Sequence, residues 1–259
     1  MVRFAANLSL LFTELPFLDR FEAASNAGFK GVEFMFPYAF DVREIASRLE
    51  DNGLELVLFN IFPGDWEAGE RGLAALGGRS GEFSDAVGQA LDYAGELGCR
   101  RLHAMAGLLR DGAERQAYIS NLSQACLRAK SHGVDILIEP INVHDFPGYF
   151  LNKTADAADV IEQVGAVNIG LQFDLYHRHM SEGFVEAGIL KFSHLARHYQ
   201  VAGPPDRGEP FPSQLDCARL FKLIDDSGFE GWIGCEYKPR GKTLEGLDWF
   251  SKCGVAVKG

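Results

Sequence analysis

The stretches ILIEP (136–140), IGLQFD (169–174), HYQVAG (198–203) and WIGCEY (232–237) decide the fold. Each has one polar residue near its end: Glu139, Asp174, Gln200 and Glu236. An ionisable side chain in an apolar stretch is costly unless it is paired or bound to a metal. The separations of 35, 26 and 36 residues are each close to the length of one strand–helix unit. The pattern predicts four oxygen donors that consecutive strands bring to one end of a sheet, where they would form a divalent-metal site.

The whole chain repeats this strand–helix unit eight times. The strand candidates are 3–9, 31–36, 54–61, 100–106, 136–140, 168–174, 198–203 and 231–237. Between them apolar residues recur at helical spacing, as at Val42, Ile45, Ala46 and Leu49. Several helices would end at a glycine in the left-handed conformation, at Gly28, Gly53, Gly98, Gly133 and Gly228. Strands that are apolar on both faces and alternate with helices indicate a parallel sheet with helices outside.

An open, doubly wound sheet is the competing architecture. Such sheets usually carry a glycine-rich phosphate loop after the first strand. Here the first strand is followed by LSLLFTELPF (8–17), which contains no glycine. Eight units also favour closure, and a (β/α)₈ barrel takes about 250 residues as one domain. We therefore predict a single TIM barrel over residues 1–259.

Composition and charge exclude several classes of protein. The net charge of −11 argues against a nucleic-acid surface, which needs clustered lysine and arginine. The start of the chain lacks the features of a secretory signal, and no apolar run reaches the roughly 18 residues of a membrane span. Five scattered cysteines without a C-x-x-C pair suggest a reduced, cytoplasmic protein. The sequence leaves open whether the barrels pair into a homodimer.

Reacting groups in such barrels lie at the carboxyl ends of the strands and on the loops that follow. Asn7, Glu33 and Asn60 also fall at such ends. The longest connection, about 62–81, has no clear periodicity but is rich in apolar and aromatic residues. Loops of this length in compact domains are usually functional lids or disordered, and this composition favours a lid. It carries Trp66 and Arg71.

Each candidate has a structural alternative. One glutamate in a strand could simply pair with a lysine, but four strands doing so at equivalent heights would be a coincidence. On a strand, the H-x-H of DLYHRHM would direct His177 and His179 to one face, although substrate contacts or loop residues fit better than a zinc pair. Arg207 and Lys238 could be solvated charges, yet both follow strands that supply proposed ligands. His103, His132 and His194 have no assigned role.

The chain resembles the hydroxypyruvate isomerase family of the xylose isomerase-like barrels. The matching stretches span nearly the whole length: FAANLSLLF, GVEFMFPY, PGDWEAGERGLA, IEPIN, QFDLYH, PDRGEP and GCEYKP. The resemblance implies one divalent cation bound by Glu139, Asp174, Gln200 and Glu236. It also implies that Glu139 and Glu236 transfer protons and that His177 and Arg207 contact the substrate. Related sugar epimerases usually have a histidine where Gln200 stands, whereas the hydroxypyruvate isomerase branch has a glutamine.

Different stretches of the chain resemble branches of the family that act on different substrates. IEPIN (138–142) is similar to hydroxypyruvate isomerases proper. FTELPF (12–17), HAMAG (103–107), AGPPDR (202–207) and the stretch 231–250 look similar to relatives that isomerise 2-oxo-tetronates. Both activities perform one reaction at C2 and C3 of a 2-oxo acid. The lead reaction is hydroxypyruvate to tartronate semialdehyde, with 2-oxo-tetronate isomerase as the alternative and ketose 3-epimerase as the second.

The residue types suit this chemistry. The proton to be removed lies next to a ketone, and a cation that chelates the substrate oxygens makes the enediolate tolerable. Three carboxylates and an amide form an all-oxygen set, which suits Mg²⁺ or Mn²⁺ better than zinc. The carboxylate of an anionic substrate then needs Arg207, Lys238 or Arg71, and Asn60 completes the predicted substrate-binding set.

Two other classes of function remain. One is cleavage of DNA at abasic sites by a sister branch of the same barrels, which uses several metals, many histidines and a basic face. The other is a non-catalytic barrel that binds a sugar or an acid. Such a protein would have no use for two acid–base carboxylates beside one metal-bound carbon.

Overall fold

The computed structural model describes residues 2–257, and its core is a closed barrel of eight parallel strands in sequence order, β1 to β8. The strands are β1 Arg3–Asn7, β2 Gly31–Phe34, β3 Glu55–Asn60, β4 Arg101–His103, β5 Asp135–Ile138, β6 Ile169–Asp174, β7 Ala196–Val201 and β8 Trp232–Cys235. Every predicted strand is confirmed, although most are shorter than predicted at one or both ends. The pairing of Phe4 with Ile233 joins β1 to β8 and closes the barrel.

Helices surround the barrel. They are α1 Arg20–Asn26, α2 Val42–Asp51, α3 Ser80–Leu97, α4 Arg115–Ser131, α5 Thr154–Val164, α6 Leu175–Glu182, α7 Val185–Phe192, α8 Cys217–Asp226, α9 Thr243–Gly246 and α10 Trp249–Lys252. The Asp41 side chain caps α2 by accepting from the amide of Arg43 at 2.8 Å. At its other end α3 stops at Gly98, whose φ of 66° is left-handed as predicted. No helix among the described residues combines the length and apolar character needed to cross a membrane.

The barrel interior changes from apolar to polar along its axis. A separate buried apolar cluster consists of Ala5, Val57, Leu58, Leu137 and Trp232. Four of these residues precede a polar residue of the mouth by two or four positions in the sequence: Ala5, Leu58, Leu137 and Trp232. Side chains that point inward alternate along a strand, so the position two residues after Leu137 presents Glu139 at the other end. The strands thus carry a hydrophobic floor beneath a polar mouth, which is where the predicted ligands lie.

The segment DLYHRHM is helical and not extended. Asp174 ends β6, and α6 begins at the next residue. Residues two apart on a helix point in very different directions, because each residue turns the chain by about 100°. His177 is therefore buried beside the barrel mouth, while His179 lies on the outside and contacts Gln214 over 3.1 Å. The strand geometry considered for this H-x-H is wrong.

Candidate active site and metal centre

A cavity of about 200 Å³ occupies the carboxyl ends of the strands. Seven of the predicted site residues line it: Asn60, Glu139, His177, Gln200, Arg207, Glu236 and Lys238. Trp66 and Phe146 cover it from two loops, and His103, Gln172 and Glu33 contribute to its wall. The cavity therefore brings together groups from sequence positions far apart, as the barrel topology requires.

The three carboxylates predicted to bind the metal, from Glu139, Asp174 and Glu236, are all buried. Glu139 and Glu236 line the cavity together with the buried Glu33, whereas Asp174 is not among its lining residues. Oδ1 of Asp174 caps α6 by accepting from the amides of Tyr176 at 2.6 Å and His177 at 3.1 Å, which leaves Oδ2 free to face the site. Oδ2 of Asp174 and Oε1 of Glu139 accept no hydrogen bond from the residues that the structure describes, and Oε2 of Glu236 meets only the guanidinium of Arg207, whose Nη2 lies 3.3 Å away. Buried oxygens of this kind need a partner, and a divalent cation would satisfy those of Glu139 and Asp174, since the two carboxylates have oxygens within 4.8 Å of each other.

A compact group within this set could hold a cation. Glu139, Asp174 and His177 each offer one ligand atom, and these atoms lie within 4.8 Å of one another. The donors that face the mouth are mostly oxygens, which fits a hard cation. The identity of the metal and the full ligand set of Glu139, Asp174, Gln200 and Glu236 stay predictions.

Burial and mutual repulsion raise the pKa of each carboxylate. The Glu139 pKa lies well above its usual range because of burial first and the charges of Glu236 and Asp174 second. Burial likewise raises the pKa of Asp174, and it raises that of Glu236 to about 8 although Arg207 opposes both shifts. Ionising all three carboxyl groups at once is therefore costly unless a cation is bound.

Gln200 belongs to a hydrogen-bonded layer beneath the carboxylates. Its Nε2 donates to Oε1 of Glu33 at 2.8 Å, and its Oε1 accepts from Nε2 of Gln172 at 2.6 Å. Glu33 also accepts from Nδ2 of Asn7 at 3.0 Å and contacts Nε2 of His198 at 2.6 Å. All five side chains are buried, so this network fixes how the Gln200 amide is turned.

Two imidazoles flank Glu139. Nδ1 of His103 lies 3.7 Å from Oε2, and Nε2 of His177 lies 4.0 Å from Oε1. Burial lowers the pKa of His103 to about 3 and that of His177 well below its usual range. Both rings are therefore neutral at physiological pH, and neither adds positive charge to the site.

Arg207 supplies the positive charge at the mouth. Its Nη2 lies 3.3 Å from Oε2 of Glu236, and its Nη1 lies 3.8 Å from Oδ2 of Asp145. Burial alone would lower the pKa of Arg207, but the surrounding carboxylates outweigh it and raise that pKa. The backbone amide of Lys238 donates to the Arg207 carbonyl at 2.7 Å, while the Lys238 side chain is exposed.

An ionic clamp holds the loop that carries Arg207. Asp206 and Glu209, on either side of it, both bind Arg240: Nε contacts Oδ2 of Asp206 at 3.1 Å and Nη1 contacts Oε2 of Glu209 at 2.8 Å. Arg207 itself has a φ of 57°, which is unusual for a residue with a side chain. Such conformations persist where the surroundings enforce them, and the clamp does so here.

The long connection after β3 is ordered and covers the mouth. Trp66 packs against Phe36 and Phe146, with ring centroids 5.1 and 6.2 Å apart. Arg71 lies over the Trp66 ring at 3.9 Å and donates from Nη1 to two backbone carbonyls of the same loop. In this structure Arg71 supports the cover and is not among the residues that line the cavity.

Sequence reasoning missed the inner layer of the site. His103 has no role assigned from sequence although it ends β4, as Asn60 ends β3. Gln172 and His198 each precede a predicted ligand by two residues, on the same face of the same strand. This alternation could have identified Gln172 and His198 from the sequence, because every second residue of a strand points into the barrel.

Comparisons with known proteins agree with this geometry. The family model described as a xylose isomerase-like TIM barrel matches residues 21–253. A 2-oxo-tetronate isomerase from Cupriavidus necator is 49% identical over 96% of this chain and 98% of its own length. A hydroxypyruvate isomerase from Escherichia coli is 42% identical over the same shares. The crystal structure of a Brucella melitensis protein named AP endonuclease, family 2, is 46% identical, with a TM-score of 0.94 over 97% of this chain and 99% of that one.

Proposed function

The chain belongs to the xylose isomerase-like TIM barrel family, and we propose that it is a metal-dependent isomerase of small 2-oxo acids. The reaction would interconvert the 2-oxo-3-hydroxy and 2-hydroxy-3-oxo forms of the acid, as in hydroxypyruvate to tartronate semialdehyde. One observation carries the proposal: the buried carboxylates of Glu139 and Glu236 line a small cavity together with Arg207, and Asp174 lies beside it with a carboxylate oxygen within 4.8 Å of an oxygen of Glu139. Mg²⁺ or Mn²⁺ is the proposed cation.

The size and charge of the cavity support a small acid as substrate. Sites for drug-sized ligands enclose roughly 300–1,000 Å³, whereas this cavity is about 200 Å³. An acid of three or four carbons suits that space better than a hexose. Arg207 would bind the substrate carboxylate, with Lys238 at the rim, and the guanidinium fork matches a carboxylate well.

The chain's own residues would move the proton. When bound, the divalent cation supplies positive charge that polarises the substrate carbonyl and stabilises negative charge on its oxygens. Glu139 and Glu236 form the acid–base pair: one takes the proton from C3, the other returns a proton to C2, and the hydroxyl proton on O3 passes to O2, so that no proton is gained or lost overall. Burial raises the pKa of both in the metal-free site, whereas a bound cation would lower it, so removal of the proton also depends on the acidity that the polarised carbonyl gives to the C3–H bond. Trp66 and Phe146 would exclude water above them.

A second substrate, 2-oxo-tetronate, is favoured by a specific observation. Identity to the Cupriavidus necator protein named 2-oxo-tetronate isomerase is 49%, compared with 42% to the Escherichia coli hydroxypyruvate isomerase. The mechanism would be the same for both acids, because both react at C2 and C3. The physiological substrate then follows from the ratio of their kcat/KM values.

The deciding experiment is a substrate panel with Mg²⁺ or Mn²⁺. We expect turnover of hydroxypyruvate or 2-oxo-tetronate, and slow turnover of a ketopentose and a ketohexose. Exchange of the C3 proton with deuterated solvent, followed by NMR, would distinguish catalysis from simple binding. A ketose that reacted better than both acids would replace this proposal with a sugar epimerase. Glu186→Gln, which alters an exposed ion pair on α7, is the matched control and should react as the wild type does.

The name of the Brucella melitensis protein, AP endonuclease, raises DNA cleavage as a rival function. The net charge of −11 disfavours it, since binding to phosphates needs clustered cations. We expect no salt-dependent binding to a duplex with an abasic site. Cleavage of that duplex at a rate comparable to isomerisation would overturn the proposal.

A further inference from the structure

Asn142 lies directly against the ring of His177, between β5 and α5, and is fully buried. Its side-chain nitrogen Nδ2 is 2.7 Å from Nδ1 of His177. Its backbone N–H donates to the same Nδ1 at 3.4 Å. Two groups of one residue therefore approach one ring nitrogen.

The turn that follows fixes the orientation of the Asn142 amide. Its Oδ1 accepts from the backbone amides of His144 at 3.0 Å and Asp145 at 2.9 Å. If the amide were turned around, its NH₂ would face these two N–H donors. The nitrogen end of the Asn142 amide requires the same orientation, because Nδ2 donates to Oδ2 of Asp145 at 3.2 Å and an oxygen at that position could not. The atom that faces Nδ1 of His177 is a nitrogen bearing hydrogens.

The orientation of Asn142 decides where the His177 proton lies. A ring nitrogen approached by two N–H donors must offer its lone pair, so Nδ1 carries no hydrogen. We propose that Asn142 is a positioning residue that holds His177 in the tautomer with its proton on Nε2. A doubly protonated ring would not fit either, since its Nδ1–H would face both donors.

This tautomer defines what His177 can do. Nε2 lies 4.0 Å from Oε1 of Glu139 and 4.0 Å from Oδ2 of Asp174. An N–H has no lone pair for a cation, so Glu139 and Asp174 remain as ligands while His177 donates a hydrogen bond. The acceptor would be a substrate oxygen that gains negative charge during the reaction. Only this last step rests on the proposed function.

Nitrogen NMR tests the tautomer directly. The Mg²⁺-loaded, ¹⁵N-labelled protein is measured, and His177→Gln identifies the resonances of His177 by their loss. We expect Nδ1 to resonate as an unprotonated nitrogen and Nε2 as a protonated one. A proton on Nδ1 of the wild-type protein would overturn the proposal, whatever the variants do.

Asn142→Asp is the sharpest variant. A carboxylate oxygen still accepts from the backbone amides of His144 and Asp145, but the group that faces Nδ1 of His177 becomes an acceptor, and the bond to Oδ2 of Asp145 is lost. We expect the proton to move to Nδ1 and kcat to fall by about 100-fold, the lower end of the range for a positioned proton donor. In this variant Nε2 of His177 gains a lone pair 4.0 Å from oxygens of Glu139 and Asp174, so the Mn²⁺ affinity should not fall, which separates the loss of kcat from a loss of metal.

Two further variants keep the result interpretable. Asn142→Ala leaves only the backbone donor and should yield a mixture of tautomers. Asn152→Asp, in the same loop, loses an amide bond to the Tyr149 carbonyl without touching His177, and its tautomer should be that of the wild type. An unchanged tautomer in Asn142→Asp would contradict the proposal. If the tautomers behave as expected but no 2-oxo acid reacts, only the proposed function fails.

Discussion

Gln200 donates a hydrogen bond from Nε2 of its side chain to Oε1 of Glu33 over 2.8 Å, deep in the barrel. A carboxylate has only acceptors, so it binds the nitrogen end of the amide and turns the oxygen end away. That oxygen accepts from Gln172, and an amide oxygen has a second lone pair for a cation. Gly234 leaves space for this arrangement, since a Cβ there would collide with the Glu33 carboxylate.

The first prediction is that Glu33→Gln weakens metal binding although Glu33 is not a proposed ligand. A glutamine can present either end to Gln200, so the amide oxygen is no longer held towards the site. Changes behind a metal ligand typically cost about 10- to 100-fold in metal affinity, and we expect a loss of that size. Titration with Mn²⁺ in a calorimeter measures it. Glu55→Gln, which removes a carboxylate partner of the Trp232 indole, serves as the control.

The sequence predicts the fold almost completely because each strand–helix unit carries its own signals. Apolar strands, helical spacing and glycines such as Gly98 agree with one another along the chain. The sequence also identifies the candidate metal ligands, since Glu139 and Asp174 are carboxylates at the ends of apolar strands. The structure brings them to one mouth.

The supporting layer is harder to predict. Glu33 and His198 are 165 residues apart in the sequence, and only barrel closure brings them within 2.6 Å. The helical state of His177 was also missed, because the helix begins at the residue after a strand ends. A polar residue two positions before a ligand is informative only once the fold has been established.

The second prediction concerns the proton-transferring pair. Glu139→Gln and Glu236→Gln should each lower kcat by about 10²- to 10⁴-fold, the usual cost of losing a positioned acid or base. The fold should survive, because a neutral amide removes charge repulsion from a buried site. Circular dichroism and Mn²⁺ titration separate this effect from unfolding or loss of metal. Near-normal turnover by either variant would remove that residue from the pair.

The third prediction is a pH dependence of the metal-free protein. Burial raises the pKa of Glu139, Asp174 and Glu236 in the folded state, that of Glu236 to about 8. A pKa raised above the unfolded value of about 4 gives stability that is present at low pH and lost as the pH rises towards 8. The Tm of the protein with its metal removed by a chelator should therefore fall as the pH rises from about 4 to about 8. Added Mg²⁺ should raise this Tm by more at pH 8 than at pH 6.

Proton release provides an independent check on this linkage. A cation that binds ionised carboxylates must displace the protons they hold. Calorimetry in two buffers of different ionisation enthalpy should detect protons released on Mn²⁺ binding at pH 6 to 7. In Glu236→Gln the release should shrink. Metal binding with no proton release in this range would show that the carboxylates are already ionised.

The fourth prediction separates two arginines that the sequence offers for the substrate carboxylate. Arg207 lies at the mouth, beside Glu236, whereas Arg71 is stacked on Trp66 behind the cover. Arg207→Met should raise KM for a 2-oxo acid by roughly 10- to 100-fold, which corresponds to a charged hydrogen bond worth about 1.5–3 kcal/mol. Arg71→Met should change KM less, because it loosens the cover without removing the anion-binding group. The comparison requires initial rates with hydroxypyruvate and 2-oxo-tetronate for both variants. A larger rise in KM for Arg71→Met than for Arg207→Met would mean that the loop turns inward when substrate binds, and that Arg71 is the carboxylate-binding residue.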